Sequence, residues 1–168
     1  MQSIQAVPNR SGHNLTFSFR GTNQKVDCLA HVLCLPDIHG KHFGWSLIWL
    51  LERKRIIEEF KAVYEPGDTV IIRAHSYGCI HACYFAVDIK KEIPDINILL
   101  INCDGSPKWC TWWGKKKYKG LPIVINRYGR DFFTYVFPWF LHPVPVTEIG
   151  IKQPFFEVKQ WFKDHMRY

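Results

Sequence analysis

Apolar and polar residues alternate in Leu15-Thr16-Phe17-Ser18-Phe19, between Gly12 and Gly21, and this period of two predicts a strand with one buried face. The rhythm then changes. Val26, Leu29 and Ala30 stand at helical spacing and predict a short helix within Thr22 to His31. From Phe43 to Tyr64, Leu47, Trp49, Leu50, Ile56, Ile57, Phe60 and Val63 recur at helical steps, which predicts a long amphipathic helix that Glu65-Pro66-Gly67-Asp68 stops. A strand follows over 69–74, then a helix from Tyr77 to about Lys90 with Ile80, Cys83, Phe85 and Val87 on its apolar side. Ile96 to Ile101 and Leu121 to Ile125 are continuous apolar runs, the pattern of parallel strands buried on both faces. Pro154 predicts the start of a last helix through about Lys163. Strands alternating with helices in this order predict an α/β fold with a central sheet covered on both sides.

A chain of 168 residues suits one domain spanning 1–168, long enough to bury a substantial core. Its hydrophobic fraction of 47%, with 12 Phe, 7 Trp and 7 Tyr, exceeds what that core needs and points to an apolar surface, for which lipid or acyl chains are candidate partners. The net charge of +7 favours anionic partners, acidic phospholipid or nucleic acid, without separating them. Six cysteines occur without a C-x-x-C pair, each in or beside an apolar segment, so buried reduced thiols are expected and a metal site is not. Met1-Gln2-Ser3-Ile4-Gln5 lacks the basic and apolar regions of a secretion signal, and the run Phe43 to Leu51 is too short and interrupted to span a bilayer. A cytoplasmic protein, with peripheral membrane contact admitted, is the resulting expectation.

The richest stretch chemically is Thr69-Val70-Ile71-Ile72-Arg73-Ala74-His75-Ser76-Tyr77-Gly78-Cys79, an apolar strand running into small-His-Ser-x-Gly and then a helix. It reads as a nucleophile elbow, in which a strained turn projects the serine hydroxyl toward substrate and Ala74 and Gly78 let strand and helix pass closely. The competing reading is a serine that merely caps the helix. An elbow serine needs a histidine base and a carboxylate to orient it, and in sheet hydrolases both follow the serine in chain order. Asp131, after the strand at 121–125, is preferred as carboxylate over Asp104, which also suits a turn or cap in Cys103-Asp104-Gly105-Ser106-Pro107. Beyond Asp131 the base is either His142 or His165. His75 is expected to pack under the elbow, and His39 and His42 to border the site.

These segments together resemble the class 3 lipases, the family that includes the fungal triacylglycerol lipases. Phe17-Ser18-Phe19-Arg20-Gly21-Thr22 followed by Asp27 looks like the family's strand ending in Phe-Arg-Gly-Thr, and Ala74-His75-Ser76-Tyr77-Gly78 like its Gly-His-Ser-x-Gly elbow. Asn102-Cys103-Asp104-Gly105-Ser106-Pro107 is similar to its Phe-Gly-Ser-Pro turn, Asn126 to Pro138 to its Asn-x-x-Asp-x-Val stretch, and Asp164-His165-Met166-x-Tyr168 to the ending around its catalytic histidine. The resemblance implies an α/β-hydrolase-like, mostly parallel central sheet with helices on both faces, and an ester hydrolase acting on acyl-glycerol or phospholipid without a cofactor. It implies Ser76 as nucleophile, Asp131 as orienting carboxylate, His165 as base, and Thr22 with the Tyr77 N–H as oxyanion hole, while Arg20 holds its loop. Ala74 and Cys79 replace glycines common in the family's elbow, and Phe132-Phe133 replaces its Pro-Val.

Aromatic residues from Phe132 to Phe140 are candidates for an acyl groove or for the core. The run Lys115-Lys116-Lys117-Tyr118-Lys119, flanked by Trp112 and Trp113, suits anionic headgroups as well as it suits a solvated loop. An inactive hydrolase-fold protein that binds membrane or nucleic acid is the alternative function. A nucleotide-binding domain is disfavoured, because no phosphate-cradling Gly-rich motif follows a strand. Nucleic acid is not the expected partner of the enzyme reading.

Overall fold

The alternation at 15–19 becomes the second strand of a six-stranded sheet in a computed structural model that describes residues 4–20, 35–128 and 140–149. Strands β1 (Ala6–Ser11), β2 (Asn14–Phe19), β3 (Thr69–His75), β4 (Asn97–Asp104), β5 (Ile123–Tyr128) and β6 (Val146–Ile149) lie in sequence order across the sheet. Among these described strands β1 and β2 pair antiparallel and every other neighbouring pair is parallel. β1 and β6 escaped the sequence reading, since both are edge strands with little apolar alternation. Pro8 is tolerated in β1 because an edge strand can spare a ladder N–H. A bidentate pair from Arg10 to the buried Asp68 carboxylate, at 2.9 and 2.8 Å, ties this edge to the start of β3.

Helix α1 (Phe43–Lys61) links β2 to β3, and α2 (Gly78–Glu92) links β3 to β4. Two right-handed crossovers moving in the same direction along a sheet put their helices on the same face. The core shows this. Phe60 of α1 lies 5.4 Å from Phe17 of β2 and 5.0 Å from Phe85 of α2, and Phe17 and Phe85 are 5.2 Å apart, so three elements share one aromatic wedge. Leu15, Phe17, Phe19, Val70, Ile72, Ala74, Ile101, Cys103 and Ile125 complete this side of the sheet, all buried. The four described cysteines, Cys79, Cys83, Cys103 and Cys110, are free buried thiols.

The expectation that 96–101 and 121–125 are buried on both faces is not met among the described residues. Leu99 is 58% exposed, skipped by the pairing where the β3–β4 register shifts, and Val124 is also exposed. Both long helices cover the opposite side. The helices expected at 22–31 and 154–163 lie outside the described residues. No helix among the described residues is long and apolar enough to cross a membrane.

Candidate active site

The sheet's parallel strands deliver their C-terminal ends to one edge, and β3 ends there in Ala74-His75 before the chain turns at Ser76 into α2. Ser76 has φ 53°, and among the described residues it is the only non-glycine with positive φ. Such a conformation costs an ordinary residue of order 1–3 kcal/mol and persists only where its surroundings hold it. They do so here. The Ser76 N–H donates to the Asp104 carbonyl at 2.9 Å, and the Ser76 carbonyl accepts from Cys79 N–H at 3.1 Å as the helix begins.

The N-cap position of α2 belongs to Tyr77, with no side-chain cap bond, and Ser76 stands one residue before it in a left-handed conformation. Gly78 is required sterically. A Cβ there would fall 2.6 Å from the Arg20 carbonyl and 2.8 Å from that of Phe19, both at the end of β2. The motif's small residues therefore let the start of α2 press against the strand that leads to Thr22.

Beneath the elbow the side chains are aromatic. Tyr77 stacks on Trp45 of α1 at 4.6 Å, and the buried His42 just before α1 stacks on Phe140 at 5.2 Å. His42 thus belongs to the packing behind the elbow. His81, on the first turns of α2, contacts Trp45 and Trp49, and burial lowers its pKa to about 3. It is held neutral.

On the face away from α1 and α2, the carboxylate of Asp104 accepts amide protons from Asn102 and Asn126, each at 2.8 Å, and Asn126 also donates to Asn102 Oδ1 at 2.8 Å. Asp104 is therefore a knot between the ends of β4 and β5, and its carbonyl is the acceptor that holds Ser76. His75 is half-buried on this side, paired in register with Asp104, rather than beneath the elbow with Ala74. The sequence signal for this network is two asparagines, each placed directly after an apolar run, Asn102 after Ile96 to Ile101 and Asn126 after Leu121 to Ile125.

His142 is buried beside Trp109, and its Nε2–H donates to the Ser106 carbonyl at 2.9 Å. Burial lowers its pKa to about 4, with the cations of Lys108, Arg127 and Lys115 adding to the effect. This imidazole is committed to a backbone carbonyl. Of the other expected site residues, Ser76 and the Tyr77 backbone meet at the head of α2, while Thr22, Asp131 and His165 lie outside the described residues. The aromatic stretch from Phe132 does so too, except for Phe140, which is core. Among the described residues no cluster of His, Cys, Asp and Glu is arranged to hold a metal ion.

No family model and no curated protein sequence matches the chain. Solved lipase structures match it in fold. The Rhizomucor miehei lipase in its propeptide complex superposes with a TM-score of 0.73 at 19% identity, over 87% of this chain and 52% of that one. A triacylglycerol lipase from Penicillium expansum gives 0.68 at 18% identity, over 88% and 64%. A triacylglycerol lipase whose catalytic centre is a serine protease triad gives 0.70 at 19% identity, over 88% and 61%. The chain thus spans between about half and two-thirds of the length of these lipases. What it has in common with them is the fold, a mostly parallel α/β sheet of the fungal lipase kind.

Proposed function

We propose that the chain is a serine carboxylic-ester hydrolase acting on acyl-glycerol or phospholipid esters through an acyl-enzyme. The observation that carries this reading is the left-handed Ser76 between β3 and α2, a strained conformation that helix capping does not require. Ser76 Oγ attacks the acyl carbonyl, passing its proton to His165, which Asp131 orients. The carbonyl oxygen becomes an oxyanion held by the Thr22 hydroxyl and the Tyr77 N–H. A backbone N–H at the first turn of α2 suits that charge, since helix N-termini stabilise anions. His165 then protonates the leaving alcohol, and water, deprotonated by the same imidazole, releases the fatty acid and restores Ser76.

His142 makes a poor rival for the base, because its Nε2 proton is engaged by Ser106 and its low pKa leaves it a weak proton acceptor. The lipase neighbours support the substrate class. A fluorophosphonate probe should label the folded protein and fail with Ser76→Ala, which should also lower kcat on a medium-chain ester by on the order of 10⁶. Absence of labelling in folded wild type would point instead to a hydrolase-fold binding protein. In the same assay, His165→Ala should abolish turnover and His142→Ala should leave part of it.

A further inference from the structure

The loop before α1 and the loop after β4 are locked together. The Gly40 carbonyl accepts from both Thr111 N–H and Thr111 Oγ1, and His42 N–H donates to the Trp109 carbonyl at 2.9 Å. A Cβ at Gly40 would strike the Trp113 indole, whose Nε1 would lie 2.5 Å away, so Trp113 sits directly on this turn. Trp112 meets Trp113 edge-on at 5.9 Å and is 71% exposed. Ile38, two residues before Gly40, is 92% exposed. The outer side of α1, which begins three residues after Gly40, carries an apolar stripe of its own, since Phe43, Leu47, Leu50 and Leu51 fall at i, i+4, i+7 and i+8 and are all exposed. That stripe runs for about 12 Å along the helix.

Cations follow the two tryptophans. Lys116, Lys117 and Lys119 are exposed on or next to the short 3-10 turn Gly114–Tyr118 that follows the two tryptophans. Lys117 is close enough to Lys41 that its charge adds to the burial that lowers the Lys41 pKa. Exposed tryptophan beside lysine suits either a nucleic acid or a lipid headgroup region. Exposed Ile38, Leu50 and Leu51 gain nothing against nucleic acid and gain burial in a bilayer.

We infer that Ile38, Trp112, Trp113 and the outer stripe of α1 form a docking surface for bilayers containing anionic phospholipid, with the lysines of the 115–119 turn lying on the headgroups. Tryptophan rings settle at the level of the headgroups, and each lysine near an anionic surface adds attraction. The same helix carries Trp45, stacked on Tyr77 beside Ser76. Docking through α1 would therefore hold the elbow near the lipid. The inference stands apart from catalysis, because binding requires no reactive serine.

Co-sedimentation of the full chain carrying Ser76→Ala, with vesicles of phosphatidylcholine alone or mixed with phosphatidylserine, tests it. Binding should appear only with phosphatidylserine, with a blue shift of tryptophan emission. Lys115→Gln/Lys116→Gln/Lys117→Gln should weaken it by on the order of a hundredfold. Trp112→Ser/Trp113→Ser should remove the blue shift. Should the double variant fold poorly by circular dichroism, Trp112→Ser alone replaces it, since that ring is largely solvent-exposed. No binding to either vesicle, binding that these variants leave unchanged, or tighter binding to a short DNA duplex than to the anionic vesicles would each overturn the proposal.

Discussion

The two faces of the sheet differ in kind. Toward α1 and α2 the four inner strands β2 to β5 present buried apolar side chains, with Phe17 of β2 meeting Phe60 and Phe85 in one wedge, whereas the other face carries Thr16, Ser18, Arg73, His75, Asn102, Asp104 and Asn126. One side supplies cohesion and the other supplies polarity. Ser76 stands where the two meet, because the residue after β3 leaves the alternation altogether. Its strained turn is held by a hydrogen bond whose acceptor, the Asp104 carbonyl, is fixed by the polar face, and by the close approach of Gly78 to β2. The contrast teaches that the turn at Ser76 is held from both sides of the same sheet, by apolar packing on one and by a polar network on the other.

The contrast can be tested most severely on the helix side. Phe85→Ala should cost about 3–5 kcal/mol in urea unfolding, since it empties the centre of the wedge where the backbone of three elements limits collapse. Acid should act on the same side of the molecule and on the loops behind the elbow. His81 and His142 have folded pKa values of about 3 and about 4, below the ordinary 6.5, so the unfolded chain binds more protons between those values. Their contribution is present in full above about pH 6.5 and is lost as pH falls toward the folded values, roughly 2 kcal/mol each by about pH 5. Unfolding midpoints should therefore drop with acidification, and His142→Gln, which can still donate to Ser106, should flatten the slope.

On the polar face the effects should be smaller and of another type. Asn126→Ala removes an amide donor from Asp104 and should cost about 1–2 kcal/mol, with a proportionally larger fall in fluorophosphonate labelling rate as the Asp104 carbonyl loses its fixed position under Ser76. Leu99→Gln, on an exposed residue skipped by the strand pairing, should stay within about 0.5 kcal/mol. A large loss at Leu99, or none at Phe85, would show that the division between the faces has been drawn wrongly.

Local pattern was enough to locate most elements, because helix and strand periods are written in neighbouring residues. The helix expected over 43–64 runs Phe43–Lys61, and the strand expected over 69–74 runs Thr69–His75. The elbow was legible for the same reason, as its small residues, serine and apolar strand are contiguous. Edge strands β1 and β6 were not legible, since pairing at a largely solvated edge, with β2 and with β5, makes them strands rather than their own composition. Nor did the sequence disclose which apolar side chains face water. Leu47 and Leu50 belong to the apolar repeat expected of the long helix, and only the packing of α1 in the fold leaves them facing outward. His142 makes the same point. Its residue type admitted catalysis, but a carbonyl reached across 36 positions of chain engages its proton, and burial, which depends on the whole fold, sets its charge. Residue order determined where the strand-to-helix turn at Ser76 stands, while long-range packing decided what surrounds it, because burial and hydrogen-bond partners are properties of distance in space.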